Sequence, residues 1–523
     1  MATAPSLPHV ASRRVTGPSS ATRRRCPRWS RISSRISARA ETTTMWSSDG
    51  GASDDADEKT RGLLRAALAR GRAGAAPCLM REHCLAPERR PGGIIVQRLM
   101  LAPEAHEGDE HAVPVILVHS EAFGDDARPL VCFMHGTGGD SEGLLDTQLV
   151  PLAERGYCAL GVDAPCHGRR LDPARPDPSE ARADASKARV ERRTTNDSTN
   201  DSTNDDAAVA ASKSDHGHVS RSRSRSETFE RYGAALVAAW RGGSARRRSR
   251  ERSAPPQTRG RASGYSGSAR PFLFDGAWDC LRAVRFATDA RNRGAAFDEA
   301  PASSKPLFVD VRVDAARVGV SGVSLGGMYA WLAAAAAPET IAAAAPLIGA
   351  QDFGWALRNE RWRARVDSLP PALFRTAERD ERETLGDERS STPRELTPEL
   401  VERVYDAICP GLTTFLDGPR TFPLVAPRPM LIVNGELDPR NPLEGVRGLV
   451  AATRRAYESK KKTKNFVAVA QRGVAHACTP QMLDLADAWL DWRLRPAAAF
   501  CDENTAEAAV AEALRDAETW LEL

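Results

Sequence analysis

The chain has no uninterrupted apolar run of the ~18 residues that a membrane-spanning helix needs. The nearest stretch, from Ala330 to Ala350, is broken by Pro338-Glu339-Thr340. Paired Cys-x-x-Cys spacing is also missing, and the ten cysteines are scattered over 523 residues, a length that buries a core without cross-links. These absences exclude a disulfide-stapled scaffold and favour a reducing, intracellular compartment. The first forty residues contain no acidic side chain, no lysine and no apolar core of a secretory signal. They hold nine arginines among Ser, Thr and Ala instead. That is the composition of an organellar transit peptide, for a plastid in preference to a mitochondrion; a basic tail on a cytoplasmic protein is the alternative. The whole chain carries +4 and these forty residues +9, which leaves −5 on the rest. A mildly acidic body argues against nucleic acid as a partner.

Against this background Gly322-Val323-Ser324-Leu325-Gly326 stands out, because Gly-x-Ser-x-Gly spacing sets a serine on a strained turn between a strand and a helix. Ala316 to Ser321 reads as the strand, and the alanine-rich run from Met328 to Ala337 as the helix. Glycines at 322 and 326 let the backbone cross itself without a Cβ clash. A serine hydroxyl is a poor nucleophile unless a base takes its proton and a further group orients that base. Both follow Ser324 in the order this turn requires, acid first. The buried-strand pattern Pro429 to Val433 opens into a turn-rich loop carrying Asp438, and the strand Phe466 to Ala470 leads to His476, ahead of a helix from Pro480 to Trp492. Glu436 is a rival acid; Asp438 is preferred because Pro439 fixes the loop right after it. An oxyanion needs N–H donors. Leu325, next to the serine, supplies one, and the loop His135-Gly136-Thr137-Gly138-Gly139, after the strand Leu130 to Met134, supplies another from Thr137 or Gly136. The loop Asp163 to Arg170 contains Cys166 and His167, but no further ligands at metal spacing, so His167 reads as a loop brace and no metal site is assigned.

In combination these landmarks resemble the α/β-hydrolase superfamily, in particular the plant-type and bacterial esterases near the dienelactone hydrolase and prolyl oligopeptidase catalytic domains. The run Ala345 to Gly349 and the segment Ala426 through Pro442 add to the likeness, which covers residues 90 to 495 apart from an insertion. The resemblance implies a doubly wound α/β fold, a mostly parallel sheet with helices on both faces. It also implies a triad of Ser324, Asp438 and His476, acyl transfer to water, no cofactor, and a small-molecule ester as partner. Only about 130 residues precede Met134, too few for the oligopeptidases' propeller, and this favours esters over peptides. An acyltransferase with the same triad and a non-catalytic binding protein of the same fold remain alternatives. The acyl group, the alcohol and the oligomeric state are left open.

Around that domain, residues 41 to 89 read as a helical or linker segment and 496 to 523 as a C-terminal helix or tail. Residues 171 to 270 form an insertion, disordered by composition, with Thr-Asn-Asp-Ser repeats from Thr195 to Ser202, a Ser-Arg run from Ser220 to Ser226 and a basic stretch from Arg246 to Arg261. The exception is a helical island from Phe229 to Trp240, whose Phe229, Tyr232, Leu236, Val237 and Trp240 share one face; another helix carries Phe274, Trp278, Leu281 and Val284. Residues 351 to 425, between the sixth and seventh strands of the expected sheet, are too long for a plain loop and suggest a helical cap over Ser324.

Overall fold

The computed structural model of the chain describes residues 54–69, 77–104, 107–171, 224–253, 272–289, 309–384, 395–496 and 503–523. The expected transit segment and the Thr-Asn-Asp-Ser repeats lie outside them. Ten strands form one sheet: β1 (Glu88–Arg90), β2 (Ile94–Leu101), β3 (Val113–Ser120), β4 (Arg128–Met134), β5 (Cys158–Val162), β6 (Val313–Val323), β7 (Ala343–Leu347), β8 (Met430–Gly435), β9 (Phe466–Gln471) and β10 (Trp520–Glu522). Their order is β1-β2-β3-β5-β4-β6-β7-β8-β9-β10. From β5 to β9 every neighbour is parallel, while β1, β2, β3 and β10 add antiparallel edges. The doubly wound α/β class expected from sequence is therefore the observed one.

The strands are apolar throughout because both faces of the sheet are covered. β4 sends Leu130, Cys132 and Met134 into one core and Val131 and Phe133 into the other. The sheet reaches beyond the span 90 to 495: β1 starts at Glu88, and β10, in the expected tail, pairs with β9. Leu521 and its neighbours find an open strand edge there, which periodicity within the tail cannot reveal.

Eight helices position the site: α1 (Asp54–Ala69), α2 (Arg225–Ser253), α3 (Phe272–Thr288), α4 (Leu325–Ala336), α5 (Pro371–Thr384), α6 (Pro398–Ile408), α7 (Leu443–Ser459) and α8 (Pro480–Leu494). Every residue of α4 is buried, so the carbonyls at its C-terminus need partners from the protein. Three arginines supply them. Arg428 donates to Ala334 O (2.6 Å), Arg61 to Ala335 O (3.3 Å) and Arg65 to Ala336 O (2.7 Å). Two of these come from α1, in the segment read from sequence as a helix or linker.

The helix expected at 229–240 runs from Arg225 to Ser253, so the basic stretch from Arg246 to Ser253, expected to be disordered, continues it. Arg, Ala and Glu propagate a helix well, and the first breakers are Pro255 and Pro256. The segment 351–425 lies between β7 and β8, one strand later than counted from sequence, because the antiparallel strands ahead of β4 were not all read. The two insertions meet. Trp240 Nε1 donates to Asp380 Oδ2 of α5 (2.9 Å), and a Cβ on Gly243 would stand 2.6 Å from the Ala407 carbonyl of α6. A Cβ on Gly138, in the loop after β4, would meet the Phe229 ring at 2.8 Å, so α2 also rests on that loop. Segments more than a hundred residues apart in sequence thus pack as one helical layer. Among the described residues, no helix is long and apolar enough to cross a membrane.

Candidate functional site

Ser324 sits between β6 and α4 at φ 55° and ψ −108°, a conformation that side chains seldom adopt. The turn is held against the end of β4. A Cβ on Gly326 would lie 2.1 Å from Met134 O and one on Gly322 2.6 Å from the same atom, so only glycine fits at either place. The Ser324 N–H is taken by Leu347 O (2.9 Å), which ties the turn to β7 as well. Strain at a residue fixed from both sides is the signature of a functional turn.

The structure brings the three residues singled out from sequence into one hydrogen-bonded line. Ser324 Oγ is 2.8 Å from His476 Nε2, and His476 Nδ1 is 2.7 Å from Asp438 Oδ2. An ionised carboxylate only accepts, so Nδ1 carries the ring proton and Nε2 is left to accept from the serine hydroxyl. Asp438 is nearly fully buried and its oxygens are saturated. Oδ1 accepts from the backbone N–H groups of Arg440 (2.8 Å) and Asn441 (3.2 Å), and Oδ2 from Asn441 Nδ2 (2.9 Å) as well as from His476. Burial works to raise the Asp438 carboxyl, but the bond and charge of His476, the Arg440 N–H and the nearby Arg365 outweigh it and hold it below its ordinary value. Burial is also the main influence on His476. It lowers the imidazole below 6.5, against the upward pull of Asp438 and with help from Arg365 and Arg440.

Glu436, the rival acid, is engaged elsewhere. Its Oε2 accepts from Gly473 N–H (2.9 Å), bracing the turn after β9. Of the two oxyanion candidates in the loop after β4, Gly136 touches the serine: a Cβ there would be 3.8 Å from Ser324 Cβ. Thr137 follows it in the turn, half-buried. His135 sets the orientation of the peptide between them. Ala164 N–H donates to His135 Nε2 (3.0 Å), so Nδ1 bears the proton and donates to Gly136 O (2.8 Å). In a trans peptide the N–H is antiparallel to the C=O, which turns the Thr137 N–H away from the His135 ring. Leu325 opens α4, where the first N–H groups have no intrahelical acceptor.

His167 is fully buried and packs edge-on against Tyr232 of α2, the ring centroids 5.3 Å apart. Asp163 in the same loop accepts from Ser141 N and Oγ (2.7 Å each) and from Arg169 N (2.7 Å). This loop therefore joins the helical layer to the sheet.

Sequence reasoning missed three residues at the site. Asn441 is fully buried and links Asp438 to Ile348 O (2.8 Å). Arg365 donates to Asn441 Oδ1 (2.5 Å) from the short helix Arg363–Val366. Gln351 Nε2 lies 2.8 Å from Met328 Sδ, one turn along α4 from the serine. The Asp-Pro-Arg-Asn sequence at 438–441 carried a usable signal for Asn441, since an aspartate that bonds the backbone two residues on makes a tight turn. An arginine on a short helix, by contrast, reads as solvated.

No family model and no curated relative matches the sequence. Solved structures do. An acetyl xylan esterase from Paenibacillus sp. R4 is 13% identical and aligns over 86% of this chain and 97% of its own, with a TM-score of 0.40. A carbohydrate esterase family 15 glucuronoyl esterase from Caldicellulosiruptor kristjansonii is 14% identical over 88% and 93%, with a TM-score of 0.41. Acetyl xylan esterase 1 from Thermoanaerobacterium sp. JW/SL YS485 is 13% identical over 83% and 92%, with a TM-score of 0.37. The fold rests on this chain's own topology: a parallel sheet widened by antiparallel edges, a strained serine between strand and helix, and acid and histidine loops following the next strands in that order. By that architecture the chain has a doubly wound α/β fold of the α/β-hydrolase type.

Proposed function

We propose that the protein is a serine hydrolase of carboxylic esters. The observation that carries this reading is the continuous line from Ser324 Oγ through His476 to Asp438, at 2.8 and 2.7 Å. Ser324 attacks the ester carbonyl while His476 takes its proton. The alcohol leaves with that proton, and water then repeats the sequence on the acyl-enzyme. Asp438 keeps the ring in the tautomer that leaves Nε2 free and stabilises the imidazolium. The Leu325 N–H and the peptide N–H at Thr137, with Gly136 beside it, receive the oxyanion. Lowered by burial, His476 is neutral at physiological pH and competent as a base. The arginine-rich first forty residues support delivery to a plastid.

A fluorophosphonate probe tests the reading. Wild type should be labelled, Ser324→Ala should not, and an unlabelled wild type would point to a binding protein of this fold instead. Following ester turnover with added alcohols then separates hydrolysis from acyl transfer.

A further inference from the structure

The two oxygens of Asp438 are held in different ways. Oδ1 is fixed by backbone N–H groups of its own loop, whereas Oδ2, the oxygen that receives His476 Nδ1, also accepts from Asn441 Nδ2 (2.9 Å). Asn441 is fully buried. Its amide nitrogen donates to Ile348 O (2.8 Å) as well, and its Oδ1 accepts from Arg365 Nη2 (2.5 Å). A carbonyl and a carboxylate only accept and a guanidinium only donates, so this amide has one orientation, its nitrogen toward the acid.

The donor that fixes the oxygen end comes from elsewhere in the chain. Arg365 stands in the short helix Arg363–Val366, in the segment between β7 and β8, and is 7% exposed. Its backbone is pinned on both sides: its N–H donates to Trp362 O (3.1 Å) and its carbonyl accepts from Ser368 Oγ (2.6 Å). The guanidinium also reaches Arg440 O (3.4 Å), so it grips the acid's loop at two neighbouring residues. Burial lowers the guanidinium, while Tyr405 and the Asp438 carboxylate act against that; the acid is a counter-charge of this buried cation. Without Arg365 the Asn441 oxygen is left buried and unpaired. That state is costly, so the side chain turns to find another donor and Nδ2 leaves Asp438.

Resting on the hydrolase reading above, we propose that Arg365 is a positioning residue of the triad. It acts through two side chains: Arg365 holds Asn441, Asn441 holds Asp438 Oδ2, and Oδ2 orients the ring that takes the serine proton. The segment between β7 and β8 thereby takes part in aligning the triad as well as in building the helical layer.

The test uses the full chain, 4-nitrophenyl acetate as the ester, and the variants Arg365→Met, Arg365→Lys and Asn441→Ala. Methionine fills a similar volume, and exchanging a buried cation for an apolar side chain often leaves a fold standing. In Arg365→Met, measured well below its Tm, kcat should fall about tenfold with KM little changed, the scale of a small misalignment of reacting groups. Arg365→Lys, which keeps the charge and a donor, should recover part of the loss. Because Arg365 acts through Asn441, Arg365→Met/Asn441→Ala should be no worse than Asn441→Ala alone. Should Arg365→Met not fold, Arg365→Gln takes its place. A second readout needs no turnover: the low-field proton NMR signal of His476 Nδ1–H, assigned by its loss in His476→Ala, should move upfield or broaden in Arg365→Met and return in Arg365→Lys. Losses that multiply in the double variant, or a wild-type kcat in Arg365→Met with an unchanged signal, overturn the positioning role and leave the hydrolase reading intact. A wild type that turns over no ester and takes no fluorophosphonate label overturns the hydrolase reading alone if the signal still responds to Arg365→Met, and both if it does not.

Discussion

Replacing Asn441 by Ala isolates the support beneath the acid. The side chain donates to Ile348 O (2.8 Å) and Asp438 Oδ2 (2.9 Å) and accepts from Arg365 (2.5 Å), all away from solvent. Truncation leaves three polar groups short of a partner, at about 1–3 kcal/mol each when buried. The bracket is thus about 3–9 kcal/mol, and water admitted to the gap moves the loss toward its lower end. A loss of about 4 kcal/mol lowers Tm by roughly 8–16 °C in a domain of 150–250 residues, and by somewhat less in this larger one. Catalysis should suffer separately, because Asp438 then keeps only backbone donors and His476 to fix its rotamer. A fall in kcat of about tenfold or more, measured well below the new Tm with KM little changed, is expected. Thermal denaturation and steady-state kinetics on one ester give both numbers. A lower Tm with unchanged kcat would mean that Asn441 serves the fold alone. No change in either would refute the claim that these bonds hold the loop.

Ser324→Ala, His476→Ala and the double variant should each lose similar activity, on the order of 10⁴-fold or more, because the line acts as a unit; losses that multiply in the double variant would break it. Asp438→Asn should cost several orders of magnitude while sparing the fold, and Glu436→Gln little; a dead Glu436→Gln enzyme would reverse the assignment of the acid. With His476 lowered by burial, kcat/KM should rise with pH through one ionisation below 6.5, and an apparent pKa of about 7 or above would contradict the geometry. The stability linked to neutral His476 is complete above the unfolded value of about 6.5 and is lost as pH falls below it; the lowered Asp438 acts in the same direction as pH falls below about 3.8, which acid titration of Tm would follow. Replacing residues 183 to 223 by a short Gly/Ser linker should leave Tm and small-ester turnover nearly unchanged, since the segment is poor in large apolar side chains. Extending the deletion through Trp240 removes the buried Tyr232 and Leu236 and should abolish soluble protein.

The parallel strands and the serine turn were legible because each is a local pattern: an apolar run, a Gly-x-Ser-x-Gly spacing, a loop after a strand. The acid and histidine were legible because chain order restricts where they stand. What escaped was non-local. β10 is three residues long, and only its pairing with β9 defines it as a strand. The place of α2 is set by its docking on α5, α6 and the Gly138 loop, whereas apolar spacing marked only its middle. Arg365 was invisible for a related reason: a basic residue in a short helix reads as surface until another insertion is seen to bury it. Asn441 stood two residues past a proline that was noticed, yet its role depends on Ile348 and Arg365, distant in sequence.

The arginines at the end of α4 bear on where the chain can be cut. Arg61 and Arg65 belong to the residues upstream of the sheet, yet they occupy the Ala335 and Ala336 carbonyls of the helix that begins right after Ser324. A shortened chain starting at residue 90, the boundary that sequence likeness suggests, would strip both caps from the helix and uncover the apolar surface that Leu64, Ala67 and Leu68 bury. A recombinant version should therefore retain α1 as part of the folded domain.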